Sequence, residues 1–154
     1  MTRFAAATIV ATLAASIVTA QAATETGVLE CRTGPRLGLI VGSFQTMNCV
    51  YKPNIGAAQH YTATEGRVGI DLGFTAGGVL VWAVFAPSNT VAPGALAGTY
   101  GGVSGDVALG FGVGANALIG GSARSIALQP FSVEGQVGVA LAVGVTGLTL
   151  RYQP

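Results

Sequence analysis

Residues 68–85 read VGIDLGFTAGGVLVWAVF, and this stretch decides the fold class. Its first half places a bulky apolar residue at every even position from Val68 to Phe74, which is typical of a strand with one buried and one wet face. Its second half, residues 79–85, is apolar on both faces and predicts a central strand covered on both sides. We expect Trp82, the only tryptophan, to lie in the core because its neighbours are apolar.

Two later stretches, residues 107–114 and 137–145, alternate bulky residues with glycine or alanine. They predict strands with one heavy face and one nearly bare face. The phase changes at Thr146, so that Leu148 and Leu150 become the bulky positions, which indicates a bulge or a tight turn. Glycine packs nothing in a strand. The bare faces therefore either meet another layer at close range or present a smooth surface.

Shorter strand-like segments, separated by turns rich in glycine, proline, asparagine and serine, make up most of the remaining chain. They are residues 27–31, 37–42, 45–51, 59–64, 96–100 and 124–133. Many short strands with closely spaced turns predict one all-β domain, an antiparallel sandwich or a barrel-like sheet. Residues 86–98 form the longest predicted loop, which could lie over a barrel mouth.

The N-terminus has the pattern of a secretory signal helix. One positive charge, Arg3, precedes the uncharged residues 4–18, and the small residues Ala20 and Ala22 then form a signal-peptidase site. The apolar stretch is short for a bilayer span, which needs roughly 20 apolar residues. We expect residues 1–22 to be removed and residues 23–154 to fold in the periplasm, at the cell envelope or outside the cell. The alternative is an uncleaved anchor.

The composition limits the partners. Only 8% of the residues are charged and the formal net charge is +1, whereas roughly a quarter charged residues is usual. No basic patch is present that could hold nucleic acid. Three partners remain open: lipid, an apolar ligand or a second copy of the chain. Each would bind through the faces lined by glycine and alanine.

Cys31 and Cys49 are the only cysteines. An oxidising compartment favours their pairing as a disulfide, and the spacing excludes a CxxC redox motif. Two free buried thiols or a metal pair are the alternatives. A metal site needs more ligands than one histidine supplies, so we predict the disulfide.

One sequence pattern resembles a nucleotide site. Gly112, Gly114 and Ala117 fit G-x-G-x-x-G/A, but that fingerprint requires a helix after the turn, and here strands are predicted on both sides. We therefore predict no cofactor and no metal.

No catalytic residues stand out either. A Ser-His-Asp arrangement would have to use His60, the only histidine, but the sequence contains no serine in a G-x-S-x-G elbow. We therefore interpret His60 as a surface or strand-edge residue. Glu65 and Asp71 would lie about 20 Å apart along one strand at about 3.3 Å per residue, too far for a glycosidase pair. We interpret both as solvated charges on the wet face.

The chain resembles the domain of unknown function 992 family of small exported Gram-negative proteins. The stretches that carry the resemblance are TGVLEC (26–31), GLIVGS (38–43), NCVYKP (48–53), GIDLGFTAGGVLVWAVFAP (69–87), PGALAGTYGG (93–102), GVGANALIGGS (112–122) and SIALQPFSVEGQVG (125–138). The resemblance implies export and a paired Cys31 and Cys49, and it implies no activity.

The expected function is that of an exported, non-enzymatic binding or structural module. A small barrel associated with the outer membrane, or a lipid-binding protein, is the first alternative. A hydrolase that uses Glu65, Asp71 and Asp106 is the second.

Overall fold

The computed structural model describes residues 22–33, 36–38, 43–67, 73–75, 78–102, 108, 110–114, 116–131 and 147–154. Strands dominate these ranges. They are β1 (Thr24–Thr33), β2 (Arg36–Gly38), β3 (Ser43–Pro53), β4 (Gln59–Arg67), β5 (Gly73–Thr75), β6 (Gly78–Ala86), β7 (Gly98–Gly102), β8 (Leu118–Gly120), β9 (Ile126–Pro130) and β10 (Gly147–Gln153).

Eight of these strands close into one antiparallel barrel in the order β1-β3-β4-β10-β7-β8-β9-β6. The short strands β2 and β5 pair with each other in a separate sheet. The all-β prediction is confirmed, and the barrel replaces the sandwich as the architecture. The predicted signal helix lies outside the described residues.

Strand β6 shows how the period of two builds the barrel. It pairs with β1 on one side and β9 on the other, as expected of a central strand. Leu80, Trp82 and Val84 point inward and are fully buried, so the predicted core position of Trp82 is confirmed. Phe85, on the opposite face, is also partly covered.

The barrel interior is filled with side chains. Its largest fully buried residues are Trp82, Tyr51, Tyr61, Tyr100, Leu29, Met47, Leu80, Leu96, Leu118, Leu128, Leu148 and Leu150. Leu148 and Leu150 of β10 face the interior, whereas the change of phase predicted at residue 146 lies outside the described residues. Residues 137–145, the second predicted bare-faced strand, lie outside the described ranges.

A second apolar group, which we call the outer cluster, covers the outside of β6, β8 and β9. Its members are Ala108, Val113, Ala117, Ile119 and Ala127, with Phe85 and Phe111 packed against them. The prediction of a strand at residues 107–114 is wrong for the described residues 108 and 110–114. The amide groups of Phe111 and Val113 both donate to the carbonyl oxygen of Ala108, at 3.1 and 3.0 Å, and so form a turn. None of the described strands pairs with residues 110–114, and Gly112 takes a positive φ of 71° that suits the turn.

Close contact explains some of the glycines of the barrel strands. A Cβ atom on Gly27 would collide with the carbonyl oxygen of Lys52, and one on Gly120 would collide with that of Thr99. Gly110 and Gly112, by contrast, have no heavy atom within 4 Å of a Cβ position. Steric contact therefore explains Gly27 and Gly120. It does not explain Gly101 and Gly102 on β7, which also have no heavy atom within 4 Å, or Gly110 and Gly112 of the outer turn.

Candidate functional site at the capped end of the barrel

One end of the barrel is covered by three connections, and we call it the capped end. They are the β3–β4 loop (residues 54–58), the β6–β7 loop (87–97) and the β8–β9 turn (121–125). The first and last described residues of the chain lie at the same end, because β1 begins there and β10 ends there.

The β6–β7 loop closes the mouth by inserting Leu96, which is fully buried in the core. The hydroxyl group of Tyr100 donates to the carbonyl oxygen of Leu96 at 2.8 Å. The amide of Ser122 donates to the carbonyl oxygen of Ala95 at 3.2 Å. The structure thus places the predicted loop over the barrel mouth and fixes it to both β7 and the β8–β9 turn.

Gln59 joins β4 to the same loop. Its Nε2 donates to the carbonyl oxygen of Val91 at 3.3 Å, and its Oε1 accepts from the amide of Gly94 at 3.2 Å. The hydroxyl group of Tyr61 also donates to Oε1, at 2.7 Å. Because the Gln59 side chain is buried, these bonds replace the water it loses.

Tyr51 and Thr26 form a second polar contact under the cap. The Tyr51 hydroxyl lies 2.9 Å from Thr26 Oγ1 and 3.1 Å from the Thr26 carbonyl oxygen. Thr26 Oγ1 in turn donates to the carbonyl oxygen of Val84 at 3.1 Å. The register between β1 and β6 shifts between Glu25 and Gly27, and this bulge turns the Thr26 side chain inward.

Burial keeps the inward tyrosines neutral. Desolvation raises the pKa of Tyr61 to about 12, and it also raises the pKa of Tyr51 and of Tyr100. These hydroxyl groups therefore stay protonated at physiological pH. The tyrosine hydroxyl groups beneath the cap therefore form hydrogen bonds between neutral partners, and these bonds have a structural role.

A groove of about 230 Å³ opens on the surface of the capped end. Its lining residues carry no formal charge at neutral pH. They are Pro53, Ile55, Gly56, Ala57, Ala58, Gln59, Val91, Pro93 and Tyr152. Ile55 is 57% exposed at the rim. The volume is below the roughly 300 Å³ of the smallest drug-sized pockets, so it suits one apolar side chain or the end of an alkyl chain.

The predicted disulfide is confirmed. Cys31 and Cys49 lie directly opposite each other on β1 and β3 with a Cα–Cα distance of 4.0 Å. Both face the barrel interior and are almost completely buried. The bond therefore joins two neighbouring strands from inside the core.

Glu65 corrects one prediction. It is fully buried instead of solvated, because β4 turns Tyr61, Ala63 and Glu65 to the same inward face. The prediction extended the phase of residues 68–74 back to Glu65, whereas the inward face of β4 includes Glu65 itself. Asp71 and Asp106 lie outside the described residues. His60 is exposed on the outer face, as predicted.

Sequence reasoning missed Gln59 and Ile55. The alternation of Gln59, Tyr61 and Ala63 is a strand pattern whose inward phase was not recognised. Ile55 is a lone apolar residue inside the turn sequence PNIGAA, and this was the only signal of an exposed apolar site. In the part of the chain that the structure describes, no three histidine, cysteine or acidic side chains cluster closely enough to hold a metal ion.

The described part of the chain contains no helix that is long and apolar enough to cross a bilayer.

Comparison with known proteins places the chain in a family. The family model described as protein of unknown function (DUF992) matches residues 9–151. Neither the curated proteins nor the solved structures contain a match to the sequence. The family match covers nearly all of the barrel, including both cysteines and the three connections of the capped end, and the chain belongs to the DUF992 family.

Proposed function

We propose that the protein is an exported, non-enzymatic binding module that acts outside the cytoplasm. Two observations support export. The Cys31–Cys49 disulfide is stable in oxidising compartments, and Arg3, the uncharged residues 4–18 and the small residues Ala20 and Ala22 have the pattern of a secretory signal.

The groove at the capped end carries the binding proposal. It combines an uncharged lining with Ile55, one of two large hydrophobic side chains exposed in the described part of the chain. The barrel interior is filled by its own side chains, so a ligand would bind on the outside. The neutral lining favours an apolar group over an ion.

The outer faces of the strands favour this module over a membrane-spanning barrel. Glu30, on the outside of β1, forms ion pairs with Arg32 and Lys52 at 2.8 Å each. Thr64 and Arg151 are exposed on β4 and β10. A spanning barrel turns apolar residues outward and keeps a polar interior, which is the reverse of this distribution.

Titration with the fluorescent apolar dye Nile red tests the binding proposal. We expect saturable binding to the wild-type protein and a weakened affinity in Ile55→Ser. Phe131→Ser is the matched control, because Phe131 is also exposed, at 40%, and follows the end of β9 farthest from the cap. Equal affinities in the two variants, or no saturable binding to the wild type, would refute the groove as the binding site.

The hydrolase alternative lacks support at Glu65, because a fully buried carboxyl group is out of reach of a substrate in this conformation. An assay of envelope polysaccharides and esters tests it. Turnover by the wild-type protein that Glu65→Gln abolishes, with folding retained, would overturn the non-enzymatic proposal.

A further inference from the structure

The chain enters the barrel beside the groove. Thr24 pairs with Ala86 at the capped end of β6. The backbone amide of Asn54, the residue before Ile55, donates to the carbonyl oxygen of Thr26 at 2.7 Å. Asn54 Nδ2 donates to the carbonyl oxygen of Glu25 at 3.2 Å. The start of β1 and the Ile55 loop are therefore tied together.

The sequence just before this entry point is apolar. Residues 4–18 carry no charge, and only a few residues separate them from β1. At about 3.5 Å per extended residue, such a connection spans at most about 20 Å. If residues 4–18 enter the bilayer as the proposed export signal, the capped end stays within that distance of the membrane for as long as they remain attached.

The chemistry of the capped end suits a neutral apolar interface. Ile55 projects at 57% exposure next to the apolar groove. Exposed charged side chains of both signs lie on the neighbouring strand ends: Glu25 on β1, Lys52 on β3, which is paired with Glu30, and Arg151 on β10. A surface of mixed sign gains less from anionic headgroups than a polybasic one does, whereas a projecting isoleucine gains from leaving water.

We propose that the capped end is a lipid-contact surface, in which Ile55 inserts at the boundary between headgroups and acyl chains and the groove accepts the end of one acyl chain. This inference rests on the proposed function and names the partner of the same groove. Contact with lipid would keep the exported barrel at the membrane surface after its leader has been removed.

Vesicle flotation tests the proposal. The protein is recovered from a periplasmic extract of the expressing cells and mixed with vesicles of phosphatidylethanolamine and phosphatidylcholine, with and without phosphatidylglycerol. We expect the wild-type protein to float with both vesicle types at low and high salt. Ile55→Ser should lower the partition coefficient by about tenfold, and Ile55→Trp should raise it.

Phe131→Ser is again the control and should float like the wild type. Thermal unfolding of each variant checks that folding is retained. No flotation, an equal loss in Phe131→Ser, or binding only to phosphatidylglycerol with release by salt would overturn the lipid proposal. Nile red binding without flotation would reject lipid as the partner and leave the binding module standing, whereas loss of both would reject both. A protein segment that binds the groove while vesicles do not would also overturn it.

Discussion

The barrel interior and the outer cluster occupy opposite faces of the same strands, and they differ in what fills them. The interior is packed with Trp82, Tyr51 and Tyr100, each of which is 1% exposed or less. It also contains the disulfide that joins the neighbouring strands β1 and β3. The outer cluster consists mostly of alanines under two partly exposed phenylalanines. Buried apolar area sets the hydrophobic contribution to stability, so we infer that the interior holds the fold and that the outer cluster is a thin cover.

Trp82→Ala should have the largest effect, because it empties the largest fully buried position of the interior. We expect a loss of about 3–5 kcal/mol in the free energy of unfolding, a large part of the about 5–15 kcal/mol that domains possess. Urea denaturation followed by circular dichroism measures it. A loss below 1 kcal/mol would show that the interior is loosely packed.

Removal of the disulfide should rank second. The cysteines are 18 residues apart, and closing a loop of about this size restricts the unfolded chain by about 3 kcal/mol. The Cys31→Ala/Cys49→Ala variant should lose about that amount in the same experiment. Reductant added to the native wild type should change little, because both sulfur atoms are buried. Rapid reduction without denaturant would contradict the structure.

One substitution made on both faces sharpens the comparison. Val84→Ala, inside the barrel, should cost about 2–3 kcal/mol, and Val113→Ala, in the outer cluster, about 1 kcal/mol. Both valines are buried, at 0% and 5% exposure, so the difference would report how tightly the surroundings pack. Equal losses in urea denaturation would show that the two faces support the fold alike.

The smallest effect should come from the surface ion pairs of Glu30. Hydrogen bonds to Lys52 and then to Arg32 lower the pKa of the Glu30 carboxyl group. A lowered pKa adds stability above the unfolded-state pKa, and this stability is lost as the pH falls through the folded-state value. Glu30→Gln should therefore cost less than about 1 kcal/mol at neutral pH and nothing in strong acid. A cost that persists in acid would assign the effect to packing.

Much of the barrel could be predicted from the sequence, because β6 is apolar on both faces, as a covered central strand requires, and β10 places leucine at alternate positions. The outer turn could not, since Phe111 and Val113 alternate with glycine in the same way as strand residues do. Alternation shows which side chains share a face. It does not show whether a neighbouring strand is present, and at residues 110–113 none is paired.

The candidate site was harder to predict than the fold. The loop over the mouth was predicted from its length and prolines, and the disulfide from the cysteines. The role of Ile55 could not be predicted from its sequence neighbours. It forms a groove only together with residues such as Val91 and Tyr152, which come from other parts of the chain. The burial of Glu65 follows from the inward phase that it shares with Tyr61 and Ala63 on β4, and a charged residue at an inward position cannot be recognised from its type.

The most direct test of the central claim, an exported barrel joined by a disulfide, is the intact mass of the protein extracted from the envelope of the cells that make it. We predict a chain that begins at Ala23 or Thr24 and that lacks the two thiol hydrogens of the reduced form. A chain that retains residues 1–22 in the cytosol with both cysteines reduced would contradict the account.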